Sequence, residues 1–175
     1  MNPANKLTML RIILIPVFVV VLYLDFPYHN LVGLGIFIIA SLTDLLDGKI
    51  ARKYNMITDF GKFLDPIADK LLVTAAMVMF VLWGWMPAWM LIVVIAREFI
   101  VSALRMVAAT NGKVIAAGWS GKVKTASTMV CICLMLLGLP QWFNLLCSWI
   151  ILVTTAYSGV EYMVKNKDVL DWSNM

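Results

Sequence analysis

The chain has 175 residues, of which 62% are hydrophobic and only 14% charged, with a net charge of +4 and a mean hydropathy of +0.90. Soluble domains average about 25% charged residues and less than half apolar ones. The composition therefore excludes an ordinary soluble enzyme and indicates a polytopic membrane protein.

Six apolar segments, near 7–24, 31–52, 61–83, 87–109, 119–138 and 143–164, are long enough to cross a bilayer, which takes about 20 residues. They predict an all-α membrane protein with six transmembrane helices, forming a single membrane domain over 1–175. The first apolar run, 12–24, is flanked by Lys6 and Arg11. It is followed by Asp25-Phe-Pro-Tyr-His rather than by a small-residue cleavage site, so it reads as a retained span and not a signal peptide. Pro16, inside that span, predicts a kink or the end of a preceding interfacial helix. Turns are expected at Pro27 with His29 and Asn30, across 53–59, at Gly84 and Pro87, at Asn111-Gly112, and at Gly138 with Pro140. Trp83, Trp85 and Trp89 suit interfacial anchors. Cys131, Cys133 and Cys147 are an odd set within apolar runs and read as buried thiols rather than a disulfide framework.

Charge gives the orientation. The loops at 25–30, 84–87 and 139–142 contain no Lys or Arg, and all 14 basic residues lie on or toward the other side. By the positive-inside rule both termini and the 53–60 link are cytoplasmic.

The polar stretch between the second and third spans carries the chemistry. Asp44 and Asp47 are three residues apart, and Asp65 and Asp69 are four apart, each pair beside apolar helix. Such spacings put each pair on one helix face, with roughly 5–6 Å between Cβ atoms. Carboxylates in apolar surroundings are costly unless paired, and four together repel. One or two hard divalent cations, Mg²⁺ or Mn²⁺, remove both problems. Gly48 and Gly61 cost helix stability, which close approach of a ligand to the backbone would explain. Ala51 keeps the same wall open, and Arg52 can fork onto phosphate oxygens. Together these residues describe a diphosphate site. A small divalent-cation transporter is the rival reading, although transport sites tend to lie near the bilayer midplane and these carboxylates lie toward one face.

The pattern Asp44-x2-Asp47-Gly48-x2-Ala51-Arg52-x8-Gly61-x3-Asp65-x3-Asp69 resembles, without a departure, the signature of the CDP-alcohol phosphotransferases. That resemblance implies a six-helix integral membrane enzyme, usually homodimeric, that moves a phosphatidyl or similar group from a CDP-linked donor to an alcohol. It implies that Asp44, Asp47 and Asp65 ligate a pair of divalent ions, that Asp69 joins one of them, and that Asp69 is the general base on the acceptor hydroxyl. Gly48, Ala51, Arg52 and Gly61 would line the CDP pocket. No nucleic-acid partner is expected.

The signature leaves the acceptor open. The stretches 5–16, 96–105, 121–125 and 157–162 resemble those of bacterial family members that transfer phosphatidyl from CDP-diacylglycerol to sn-glycerol 3-phosphate in the cytoplasmic membrane. Thr128 stands where glutamine is more usual. Arg97 and Arg105, roughly on one side of the fourth span, and Lys122 and Lys124, opening the fifth, would suit an acceptor bearing a phosphate. Read from the residues alone, Arg97 either serves that phosphate or pairs with an Asp or Glu161, and the two lysines either join it or meet lipid headgroups. Phosphatidylglycerol, serine or inositol phosphate are the alternative acceptors.

Overall fold

A computed structural model describes residues 3–24, 26–53, 59–110 and 118–167, with side chains described for 9–24, 26–43, 67–110 and 118–167. The described residues are all-α, without a strand: α1 Pro3–Tyr23, α2 His29–Lys53, α3 Asp59–Leu82, α4 Ala88–Thr110, α5 Trp119–Leu136 and α6 Gln141–Lys165. The helices fall on the six segments expected from hydropathy. Two of the turns use the conformation that glycine adopts without a Cβ penalty: Gly84 has φ 71° and Gly138 has φ 73°. The turn expected at Asn111-Gly112 lies outside the described residues. Pro16 does not end a helix. α1 runs through it unbroken, which overturns the reading of a separate interfacial helix before it. Proline removes one backbone donor, and one missing bond is tolerated in a helix of this length.

The chain divides into two compact units, Met1–Trp83 with Ile132–Leu139, and Gly84–Cys131 with Pro140–Met175. In the first, α1 packs on both α2 and α3, and α2 also touches α3. The buried residues of α1 are Arg11, Ile15, Phe18 and Leu22, those of α2 include Gly33, Phe37 and Ala40, and those of α3 include Ala68, Leu72, Ala76 and Phe80. Each set steps by three or four, the period of a single helix face. The phenyl rings of Phe18 and Phe37 lie 6.0 Å apart. A Cβ built on Gly33 would fall 2.3 Å from Leu22 Cδ2, so Gly33 is what allows α1 and α2 to approach this closely. At the turn between α1 and α2, the His29 Nδ1 lies 2.9 Å from the Phe26 carbonyl, and its ring meets Trp83 edge-on at 5.7 Å.

In the second unit α4 and α6 run parallel. Trp89 meets Trp149 at 5.9 Å between ring centroids, Arg97 reaches Ser158, and Arg105 reaches Tyr162, so contacts climb both helices together. α5 runs antiparallel to α6, with Ser127 donating to Thr154 at 3.2 Å and Gly121 beside Ser158. The three thiols are free; Cys131 and Cys147 are buried as expected, whereas Cys133 is only half-buried.

Large apolar side chains also point outward along every helix. Ile13, Ile39, Leu82, Ile92, Phe99, Val130 and Val153 are among those exposed. An apolar exterior of this extent marks contact with lipid or protein rather than water. Among the described residues, α6 meets the joint length and hydropathy requirement of a membrane-crossing helix, and Met9–Tyr23 and His29–Thr43 are shorter apolar helices.

The Gly33 contact can be tested directly. Gly33→Val forces a branched side chain into Leu22, and overpacking of this kind costs about 1–3 kcal/mol. Thermal unfolding of the purified protein should show a Tm lowered by roughly 3–10 °C, whereas Gly35→Ala, with nothing within 4 Å of its added Cβ, should leave Tm nearly unchanged.

Candidate functional site

Both halves of the acidic motif lie on helices of the first unit. Asp44, Asp47, Gly48, Ala51 and Arg52 belong to the last turns of α2, and Gly61, Asp65 and Asp69 to the first half of α3. Because both segments are helical, the three- and four-residue spacings mean what the sequence reading took them to mean. Of these positions only Asp69 has a described side chain. It is half-buried, next to the fully buried Ala68. The side chains of Asp44, Asp47, Ala51, Arg52 and Asp65 and the surroundings of Gly48 and Gly61 lie outside the described residues, as does the 54–58 link. Among the described residues there is no group of three or more His, Cys, Asp or Glu placed to hold a metal. As a donor set, four carboxylates on two helices that touch each other fit a hard divalent cation.

The basic residues of the second unit are described in full. Arg97 lies on the face that α4 buries against α6, between Val94 and Val101. Its Nη2 donates to Ser158 Oγ at 2.7 Å, and its Nη1 donates to Glu98 Oε1 at 2.9 Å. Lys124, on α5, donates to the same Glu98 oxygen at 2.6 Å. The side chains of Arg97, Glu98 and Lys124 are 13%, 22% and 9% exposed, so the ions are drawn largely out of solvent. Two cations share one carboxylate, which leaves an excess positive charge. The Arg97 Nε is buried and has no hydrogen-bond partner among the described residues. It is a spare donor.

Arg105 lies nearer the end of α4. Its Nε donates to Tyr162 Oη at 3.2 Å, and its guanidinium carbon stands 5.3 Å from the centre of the Tyr162 ring, within cation–π range. Lys122 is exposed, while Lys124 is buried. The structure thus joins Arg97 with Lys124 through Glu98, holds Arg105 on the same helix α6, and leaves Lys122 apart from them.

Two sequence alternatives are corrected here. Arg97 pairs with its neighbour Glu98 rather than with Glu161, whose carboxylate is taken by Lys165 one turn along α6. Lys124 turns inward to Glu98 and does not face lipid headgroups. Thr128, the departure from the family pattern, is buried, and its Oγ1 has no hydrogen-bond partner among the described residues.

Three residues without a role in the sequence reading gain one. Glu98 is the shared counter-ion, and Ser158 fixes one arm of Arg97. Gly159 makes room for the stem of that arginine, because a Cβ there would lie 2.9 Å from Arg97 Cγ. The adjacent Arg97-Glu98 in an apolar span was the one signal present in the sequence for Glu98.

An all-helical chain with an apolar exterior, carrying an Asp-Gly-Ala-Arg motif across two touching helices, has the make-up of a membrane phosphotransferase. The chain belongs to the CDP-alcohol phosphatidyltransferase family, whose pattern it matches over residues 1–157. It is 44% identical to the CDP-diacylglycerol–glycerol-3-phosphate 3-phosphatidyltransferase of Bacillus subtilis strain 168, an alignment that covers 99% of both chains. It is 40% identical to the Escherichia coli K12 protein of the same name, over 97% of this chain and 98% of that one. It is 36% identical to a probable phosphatidylglycerophosphate synthase of Mycobacterium tuberculosis H37Rv, over 94% of this chain and 81% of that one.

The shared counter-ion predicts a stability signature. Glu98→Ala leaves Arg97 and Lys124 as buried like charges and should cost about 3 kcal/mol. Adding Lys124→Met to it should recover much of that loss, measured by chemical unfolding of the two variants beside the parent protein.

Proposed function

We propose that the chain is a divalent-metal-dependent phosphatidyltransferase that moves the phosphatidyl group of CDP-diacylglycerol onto sn-glycerol 3-phosphate, giving phosphatidylglycerophosphate and CMP. One observation carries this reading: identity of 40–44% with relatives of that name runs end to end through both chains, and the residues with a chemical role fall inside the aligned length. The reaction belongs to phospholipid biosynthesis.

Each motif residue then has a task. Asp44, Asp47, Asp65 and Asp69 would hold the metal, for which Mg²⁺ or Mn²⁺, as a pair of ions, suits an all-carboxylate donor set. Bound there, divalent ions supply charge neutralisation at the diphosphate. Gly48, Ala51 and Gly61 leave the backbone open to the cytidine diphosphate, and Arg52 offers a bidentate fork to its phosphates. Asp69 takes the proton from the acceptor's primary hydroxyl, which requires an approach within about 2.6–3.2 Å. The freed oxygen attacks the phosphorus that carries diacylglycerol, and the bond to CMP breaks. Arg97, Arg105, Lys122 and Lys124 receive the acceptor phosphate. The spare Arg97 donor and the excess positive charge around Glu98 support that role most strongly for Arg97 and Lys124.

The whole chain acts as one membrane domain with six spans. The absence of Lys and Arg from 25–30, 84–87 and 139–142 supports cytoplasmic termini and an active site on the cytoplasmic side of a bacterial cytoplasmic membrane. The donor's acyl chains would remain in the bilayer. The enzyme would work as a homodimer, as its family usually does.

Membranes containing the protein should convert labelled CDP-diacylglycerol to phosphatidylglycerophosphate when glycerol 3-phosphate is supplied. Phosphatidylglycerol, serine and inositol phosphate should give no product, and preference for any of them would reassign the acceptor. A chelator should abolish turnover and Mg²⁺ or Mn²⁺ should restore it. Asp69→Asn should lower turnover at least 100-fold, on the order expected for loss of a general base, with Tm retained. Near-normal turnover would remove Asp69 from that role.

A further inference from the structure

We infer that Arg11 of α1 is the structural counter-charge of Asp44 and positions that carboxylate within the acidic motif. Arg11 is fully buried, at 0% exposure. A guanidinium withdrawn this completely needs a carboxylate or an equivalent acceptor beside it. The register between α1 and α2 indicates which carboxylate that is.

Leu22 lies against Gly33, and Phe18, four residues earlier on α1, lies against Phe37, four residues later on α2. The next buried positions continue in matched steps: Ile15, three back on α1, and Ala40, three forward on α2. One further step of four on each helix reaches Arg11 on α1 and Asp44 on α2. Both helices are unbroken across that step, so the antiparallel register brings the two residues to one level.

The other aspartate of α2 fits less well. Asp47 lies about one turn further along α2 than the register requires. Lys and Arg near the start of a membrane protein are usually read as orientation signals, and Lys6 remains one. Arg11 differs in standing at the head of the stripe formed by Ile15, Phe18 and Leu22. A carboxylate has two oxygens and about four acceptor positions, so an arginine can hold one oxygen of Asp44 while the other remains open to a ligand. The positioning role rests on the reading of Asp44 as part of the substrate and metal site, whereas the ion pair itself does not.

The two parts are tested separately. Arg11→Met, Asp44→Asn and the double variant are compared by thermal unfolding of the purified full-length protein in detergent with excess chelator. Each single change should lower Tm by roughly 5–10 °C, and the double variant should lose no more than the worse single. Additive losses would overturn the pairing, whatever reaction the protein catalyses. Arg11→Lys keeps the charge without the fork and should keep most of the Tm. In that variant the Mg²⁺ concentration for half-maximal turnover should rise two- to ten-fold, and the Mg²⁺-induced rise in Tm should shift to higher concentration by the same factor, with the KM for glycerol 3-phosphate unchanged. Unchanged Mg²⁺ dependence in both measurements would overturn the positioning role and leave Arg11 a purely structural cation.

Discussion

A charge inside an apolar helix has no water to fall back on, and most of what is specific about this chain follows from that constraint. Arg97, Glu98 and Lys124 satisfy it together, with one carboxylate oxygen accepting from both cations. The cluster ties α4 to α5 by an ionic contact, while Ser158 ties the same arginine to α6. A membrane helix has little hydrophobic incentive to choose one helical neighbour over another, because lipid is as apolar as leucine. Polar contacts and close packing at small residues must supply the choice. In the second unit the ions and Gly159 do this, and in the first unit Gly33 and the ring pair of Phe18 and Phe37 do so.

In the proposed function the acidic motif would turn the same constraint to chemical use. Its carboxylates sit on α2 and α3, two helices braced by α1. A donor set built on helices is held more rigidly than one on loops. Phosphoryl-group chemistry depends chiefly on such positioning and on neutralising charge. The basic cluster of the second unit has the opposite sign and an unused guanidinium donor. In the proposed function this cluster would receive the phosphate of the acceptor.

The helices were legible in the sequence because they are long, apolar and punctuated by residues with few alternatives. Gly84 and Gly138 adopt positive φ, and that need shows as glycine at the two turns. The acidic motif was legible as a pattern because helical spacing converts directly into a shared face. The partners of the basic residues were not. Arg97 and Glu98 are consecutive, so their Cβ atoms leave the helix on different sides, and only the length and flexibility of both side chains brings their ends together. Glu161, which the sequence offered as a partner for Arg97, is held by Lys165 on its own helix, a local contact at spacing four that wins over a long-range one. Arg11 was legible only as a positive charge near a terminus, because its burial depends on the register between α1 and α2. Of the two readings of Pro16, a kink or a helix end, the second is excluded because α1 runs through it.

Gly159 is half of a two-residue fit. The arginine stem crosses α6 where that helix has no side chain, so the shape of one position is set by the bulk of the other. Among related chains, positions 97 and 159 should therefore vary as a pair: a residue larger than glycine at 159 calls for a side chain at 97 with a thinner or shorter stem. A sequence that changed only one of them would have to reopen the contact between α4 and α6.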